Sequence, residues 1–321
     1  MIKFPQVGPA VLVTAAFIGP GTVITATMAG ANYGFSLLWA LVFSVFATII
    51  LQEMAARLGV VTQQGLGENI RSACTSTTSK YLSIFLVVGA IVVGNAAYQA
   101  GNISGSSLGL THLFGEQYWL GSSAVWPITI GLVALGILAT GSYRLIEKSL
   151  IVLVGVMSIA FLASFFLIDL NWSDFLSGLL IPSLPSGATL TVIALIGTTV
   201  VPYNLFLHSA SASKKWQKVE QLSDARKDLY IAIPLGGLIS IAIVSTAASA
   251  FFGQQVQITT AADIAPALQP VFGDAAAIFI AVGLFTAGIS SAVTAPLAAA
   301  FALSGILNLN KELNSLSFKV I

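Results

Sequence analysis

Long apolar runs alternate with short polar segments along this chain. A helix that crosses a bilayer needs roughly 20 apolar residues. By that rule the pattern predicts eight membrane helices, near 7–32, 35–58, 80–110, 124–141, 145–169, 187–212, 228–252 and 272–305. Two of these runs are interrupted by proline, and neither break carries a charge. The first reads Ala15-Ala16-Phe17-Ile18-Gly19-Pro20-Gly21-Thr22, and the second Gly197-Thr198-Thr199-Val200-Val201-Pro202-Tyr203-Asn204. Proline removes a backbone donor and its ring clashes with the preceding turn. Within a bilayer, unwound backbone persists only where protein buries it or water reaches it. A simple proline kink is the structural alternative for either break taken alone. A matched pair, five spans apart, points instead to the binding site of a transporter. The predicted site is Gly19, Gly21 and Thr22 facing Val201, Tyr203 and Asn204. Flanking glycines widen the backbone angles open to the first break. The freed carbonyls there could coordinate a cation, and the N–H groups that start the next half-helix favour an anion.

Composition supports the membrane reading and narrows the function. Hydrophobic residues make up 56% of the chain and charged residues 8%, with a mean hydropathy of +0.93. Soluble domains carry about 25% charged residues. The bilayer is therefore the expected partner. A net charge of +1 implies no bulk attraction to nucleic acid. The one cysteine, Cys74, cannot form an internal disulfide and sits at no metal-ligand spacing. No phosphate-binding loop or catalytic dyad is present, so no enzyme and no cofactor is predicted. The stretch from Val7 to Tyr33 exceeds the roughly 7–15 apolar residues of a secretory leader, which makes it the first span.

Basic residues set the orientation. Lys3 precedes the first span. Arg57, Arg71 and Lys80 follow the second, and Arg144 and Lys148 the fourth. Lys214, Lys215, Lys218, Arg226 and Lys227 follow the sixth, and Lys311 and Lys319 the eighth. All 13 basic residues thus fall on one side. The other side holds Glu116, Asp169, Asp174 and Asp263. The basic side is expected to be cytoplasmic, with the N-terminus inside, in a bacterial inner membrane. Residues 318–321 read as the start of another span, so a chain truncated after helix 8 is expected.

Few polar groups lie within the spans. Gln99 and Asn102 in the third span are three residues apart and share a helical face. Asn95, Tyr98, Ser104, Ser106 and Ser107 accompany them. They suit either a hydrated path or interhelical hydrogen bonds. Ser290, Ser291 and Thr294 in the eighth span pose the same choice, with packing favoured. Glu53 is expected to pair with Arg57 at i+4, and Glu147 to be held beside Arg144 and Lys148. His208, one turn beyond Asn204, serves equally as a proton relay or a packing histidine.

The first break, the run Leu51-Gln52-Glu53-Met54-Ala55-Ala56-Arg57-Leu58-Gly59, the run Pro202-Tyr203-Asn204-Leu205-Phe206-Leu207-His208-Ser209 and the run from Gly283 to Ser291 together resemble the Nramp family of divalent-metal transporters. That resemblance implies an all-α polytopic protein with the LeuT-like inverted-repeat fold and discontinuous helices 1 and 6. It implies a single transmembrane domain over 1–321, with a first repeat about 7–169 and an incomplete second repeat about 187–321. The family's breaks read Asp-Pro-Gly-Asn and Met-Pro-His-Asn. Here Gly19 replaces the Asp, Thr22 the Asn and Val201 the Met, and the family's acidic proton-path positions fall at Gln99 and Asn102. Thr22 and Asn204 remain as neutral oxygen donors to a metal. Without a carboxylate or thioether, a hard, partly hydrated ion such as Mg²⁺ is expected ahead of Mn²⁺, with little proton coupling. Related branches with similar changes move Mg²⁺ or Al³⁺. A small anion, a neutral solute or a non-transporting remnant are the alternatives.

Overall fold

The computed structural model describes residues 8–119, 123–166, 168–253, 264–310 and 312–320. Lys3, Val7, Asp263, Lys311 and Ile321, used above, lie outside the described residues. The first apolar run folds as two helices, α1 (Ala10–Phe17) and α2 (Pro20–Tyr33), bent by 58°. There follow α3 (Leu38–Thr62), the short α4 (Leu66–Ala73) and the long α5 (Thr77–Phe114). A two-residue antiparallel ladder joins Tyr118–Trp119 to Ser123–Ala124. Then come α6 (Val125–Ala139), α7 (Tyr143–Phe166) and α8 (Trp172–Leu180). The second interrupted run folds as α9 (Thr189–Thr199) and α10 (Pro202–Lys215). The described chain finishes with α11 (Leu222–Phe251), α12 (Ile264–Leu307) and α13 (Leu316–Val320).

All eight expected runs are helical and in order. Among the described residues, six stretches are long and apolar enough to cross a membrane, with α9 and α10 counted as one. The bent pair α1–α2 makes a seventh. The eighth, α6, has only 15 residues, or about 22 Å at 1.5 Å per residue, less than the ~30 Å hydrocarbon core.

The broken spans form the centre of the packing. Helix α1 lies against α7, α10, α11 and α12, and α2 against α9 and α11. Seven of the eight residues of α1 are buried. Small residues allow backbones to meet: a Cβ on Gly109 would run into the Ala281 carbonyl of α12, and one on Gly288 into Asn102 and Ser106 of α5. The outer surface is apolar, with Phe46, Phe85, Val93, Ile159 and Leu190 largely exposed.

Two charge pairings extend beyond the expected helical neighbours. Glu53 does touch Arg57, at 3.5 Å, but Arg226 of α11 donates to it from Nε at 2.9 Å and Nη2 at 2.7 Å. Glu147 pairs with Lys215 of α10 at 3.4 Å. In both cases the carboxylate has a partner distant in sequence, because packing brings α11 onto α3 and the end of α10 onto α7.

Candidate functional site

The crossed pairing of half-helices places the two breaks at one level. The first half of the first broken span meets the second half of the other, and their remaining halves meet in turn. At the first break Gly19 is extended (φ −99°, ψ 177°) and Pro20 opens α2. At the second, Val201 is extended (φ −95°, ψ 118°) and Pro202 opens α10. Proline costs nothing as the first helical residue, where its missing N–H would have no partner anyway.

A helix end leaves carbonyls without intrahelical partners. Three such carbonyls end α1, and each accepts a side-chain hydroxyl. Ala15 O faces Ser290 Oγ at 3.3 Å and Ser291 Oγ at 3.4 Å. Ala16 O accepts from the Tyr203 hydroxyl at 3.3 Å. Phe17 O accepts from Thr22 Oγ1. The expected supply of open carbonyls at this break is therefore engaged, and Thr22, one of the two predicted oxygen donors, is already committed.

Asn204 is the opposite case. It is fully buried, and neither its amide oxygen nor its amide nitrogen has a hydrogen-bond partner. Buried polar side chains are nearly always satisfied, so this exception requires a cause. One turn on, His208 is fully buried, with Nδ1 3.0 Å from Gln52 Oε1 of α3 and Nε2 unpartnered. Tyr203 packs edge-on against Tyr98 of α5, ring centres 5.6 Å apart. Val201 is buried beside this cluster, whereas Gly21 is exposed and has open space where a Cβ would stand. A Cβ on Gly19 would lie 2.8 Å from Ser291 Oγ and 3.4 Å from Asn102 Oδ1.

The polar row of α5 is used mainly for packing. Asn95 donates to Ala295 O at 2.8 Å, Gln99 to Ala292 O at 3.0 Å and Ser106 to Phe285 O at 2.9 Å. Asn102 reaches Gln99 Oε1 at 3.4 Å. Among the described residues, no three His, Cys, Asp or Glu side chains come together as a metal cage.

The family model for "Natural resistance-associated macrophage protein-like" matches residues 10–321. The chain belongs to the Nramp family. It is 29% identical over 310 residues to "Divalent metal cation transporter MntH" of Verminephrobacter eiseniae, with 94% of this chain and 69% of that protein covered. It is 30% identical over 315 residues to the protein of that name from Yersinia pestis, covering 95% and 74%. The crystal structure of a manganese transporter from Eremococcus coleocola, in complex with an aromatic bis-isothiourea compound, superposes with a TM-score of 0.80 at 25% identity, covering 98% of this chain and 68% of that one. The Nramp fold therefore extends over the whole described chain.

Three features of this Nramp chain escaped the sequence reading. Asp228 of α11 caps α1, accepting from Gly8 N at 2.8 Å and Ala10 N at 2.9 Å. Its signal was an acid embedded at the edge of an apolar span. Gln52 is the partner of His208, and a buried amide on a membrane helix was the available cue. Ser290 and Ser291 reach the first break itself; their adjacency alone carried no signal for that.

Proposed function

We propose that this chain carries divalent metal cations across a membrane, binding them between Gly19, Gly21 and Thr22 on one side and Val201, Tyr203 and Asn204 on the other. The observation that carries this reading is Asn204, buried with both amide atoms unpartnered where two broken spans meet. The names borne by the relatives, divalent metal cation transporters and a manganese transporter, support the substrate class.

The residues argue for a hard ion that keeps much of its water. Gly19 and Val201 offer neither charge nor sulfur, and Thr22 and the α1 carbonyls are engaged. Few direct ligands remain, which suits Mg²⁺, an ion that dehydrates reluctantly, with Mn²⁺ as the secondary substrate. Proton coupling is weak or absent in this reading. Gln99 and Asn102 do not ionise, which leaves His208 as the single candidate proton carrier on the path. The basic side faces the cytoplasm, with the N-terminus inside, in a bacterial inner membrane. Residues 1–321 act as one transmembrane domain, with repeats about 7–169 and 187–321.

Flux into proteoliposomes tests the proposal. Mg²⁺ and, more slowly, Mn²⁺ are expected to enter down their gradients without acidifying a trapped pH-sensitive dye. Transport of small anions in place of either cation would overturn the substrate class. Cation-dependent acidification that His208→Ala abolishes would overturn the uncoupled mechanism.

A further inference from the structure

Helices α3 and α10 meet backbone to backbone where a Cβ on Gly59 would run into the Ser209 carbonyl. The start of α4 is tied to the same place, with Leu66 N donating to Ser209 Oγ at 2.8 Å. Beside this junction the outer faces of the helices leave a groove of about 490 Å³, within the range of roughly 300–1,000 Å³ usual for ligand sites. Met54, Leu58 and Val61 of α3 and Leu205 of α10 line it, with the small, buried Ala55 beneath them. Among the described residues, Arg57 is the one charged side chain along the groove.

Arg57 brings charge that its partner does not fully use. Glu53 Oε1 accepts from Arg226 Nε at 2.9 Å and Nη2 at 2.7 Å, whereas Arg57 Nη2 stands 3.5 Å from Glu53 Oε2. Two guanidinium groups thus face one carboxylate, a net charge of +1. The Arg57 side chain is 51% exposed and keeps donors free in the planar fork that matches a phosphate. Its depth suits one too. Arg57 precedes Thr62, the last residue of α3, by five positions, or about 7.5 Å along the axis. The headgroup layer on each side of a bilayer is roughly 5–7 Å thick. The guanidinium therefore stands where headgroups give way to acyl chains, with the apolar groove beside it.

We propose that this groove holds one anionic phospholipid of the leaflet on the basic side, an acyl chain lying along α3 between Met54 and Val61 and the phosphate on Arg57. A zwitterionic headgroup would bring its own cation up to Arg57 and Arg226; an anionic one meets the surplus charge without that repulsion. Leu205 is the chain neighbour of Asn204, so the bound lipid would brace the second half-helix at its break. The inference goes beyond divalent transport and does not depend on it.

The test is thermal unfolding of the purified full chain in detergent micelles carrying dioleoyl phosphatidylglycerol, dioleoyl phosphatidylcholine or, in place of lipid, glycerol 3-phosphate. Phosphatidylglycerol is expected to raise Tm at least about 3 °C above phosphatidylcholine at equal mole fraction, and glycerol 3-phosphate to leave it unmoved. Arg57→Gln, in which Arg226 still holds Glu53, should abolish the preference. Leu58→Trp, which fills the groove and keeps the charge, should reduce it. Equal Tm values in the two lipids for the unmodified chain would overturn the site, and that comparison needs no variant to fold. A preference that survives Arg57→Gln would overturn it too. A full response to glycerol 3-phosphate would show a free-phosphate site in place of a lipid seat.

Discussion

Asn204 and Gly19 make opposite demands on their surroundings. Asn204 holds two unpartnered amide atoms in a fully buried position, a state that costs about 1–3 kcal/mol per unmet group. A residue kept for function at the expense of stability should reveal itself when removed. Asn204→Leu, close in volume and without polar atoms, is expected to leave Tm unchanged or to raise it, while lowering cation flux at least about tenfold, or ~1.4 kcal/mol. Unchanged flux would remove Asn204 from the site. Gly19 instead lacks the carboxylate that the family resemblance implies at this position. A Cβ at this position meets Ser291 Oγ at 2.8 Å, so a carboxylate enters only if that hydroxyl swings away. Gly19→Asp combined with Ser291→Ala is expected to bind Mn²⁺ at least about tenfold more tightly than the unmodified chain by calorimetry, with Gly19→Asp alone gaining less. Equal binding in all three would show that charge at residue 19 does not govern affinity.

Helix α5 shows how one element sets the shape of the break. Gly105 faces Pro20, and a Cβ there would fall inside van der Waals contact of the proline ring. Gly101, one turn earlier, has open space. Gly105→Ala is therefore expected to lower Tm, by an overpacking cost of about 1–3 kcal/mol, and to reduce flux. Gly101→Ala should keep flux and hold or raise stability by up to about 1 kcal/mol, since alanine favours the helix. Equal effects would mean that α5 does not press on the break. The helices themselves were legible because hydropathy over 20 residues is a local property. Proline alone was a poorer guide: Pro234 sits inside the continuous helix α11. The two real breaks differ in having extended residues, Gly19 and Val201, ahead of the proline, so that it begins a new helix. Partnerships across the fold were not legible. Ser290 reaches Ala15 across 275 positions and Arg226 reaches Glu53 across 173. Such contacts depend on how helices cross, which no local pattern encodes.

Across the whole molecule, charge lies at the edges and neutrality at the centre. Glu53 with Arg226, Glu147 with Lys215 and Asp228 at the start of α1 tie α3, α7, α10 and α11 together on the basic side. The breaks between them are held by hydroxyls. That arrangement bears on the half of the transport cycle in which nothing is carried. A carrier with open carbonyls or an uncompensated carboxylate at its centre resists turning round unloaded, because the closing walls would strand those groups without water. Here the three carbonyls that end α1 have hydroxyl partners within the protein itself. The unladen return should therefore be fast and should not limit turnover. Radiotracer uptake into proteoliposomes is expected to run at the same rate whether the lumen starts empty or preloaded with unlabelled substrate. Strong acceleration by preloading would instead identify an exchanger that turns only when filled. On this view the neutral centre, which would weaken the hold on a metal ion, would also free the protein to return empty and carry ions in whichever direction their gradient runs.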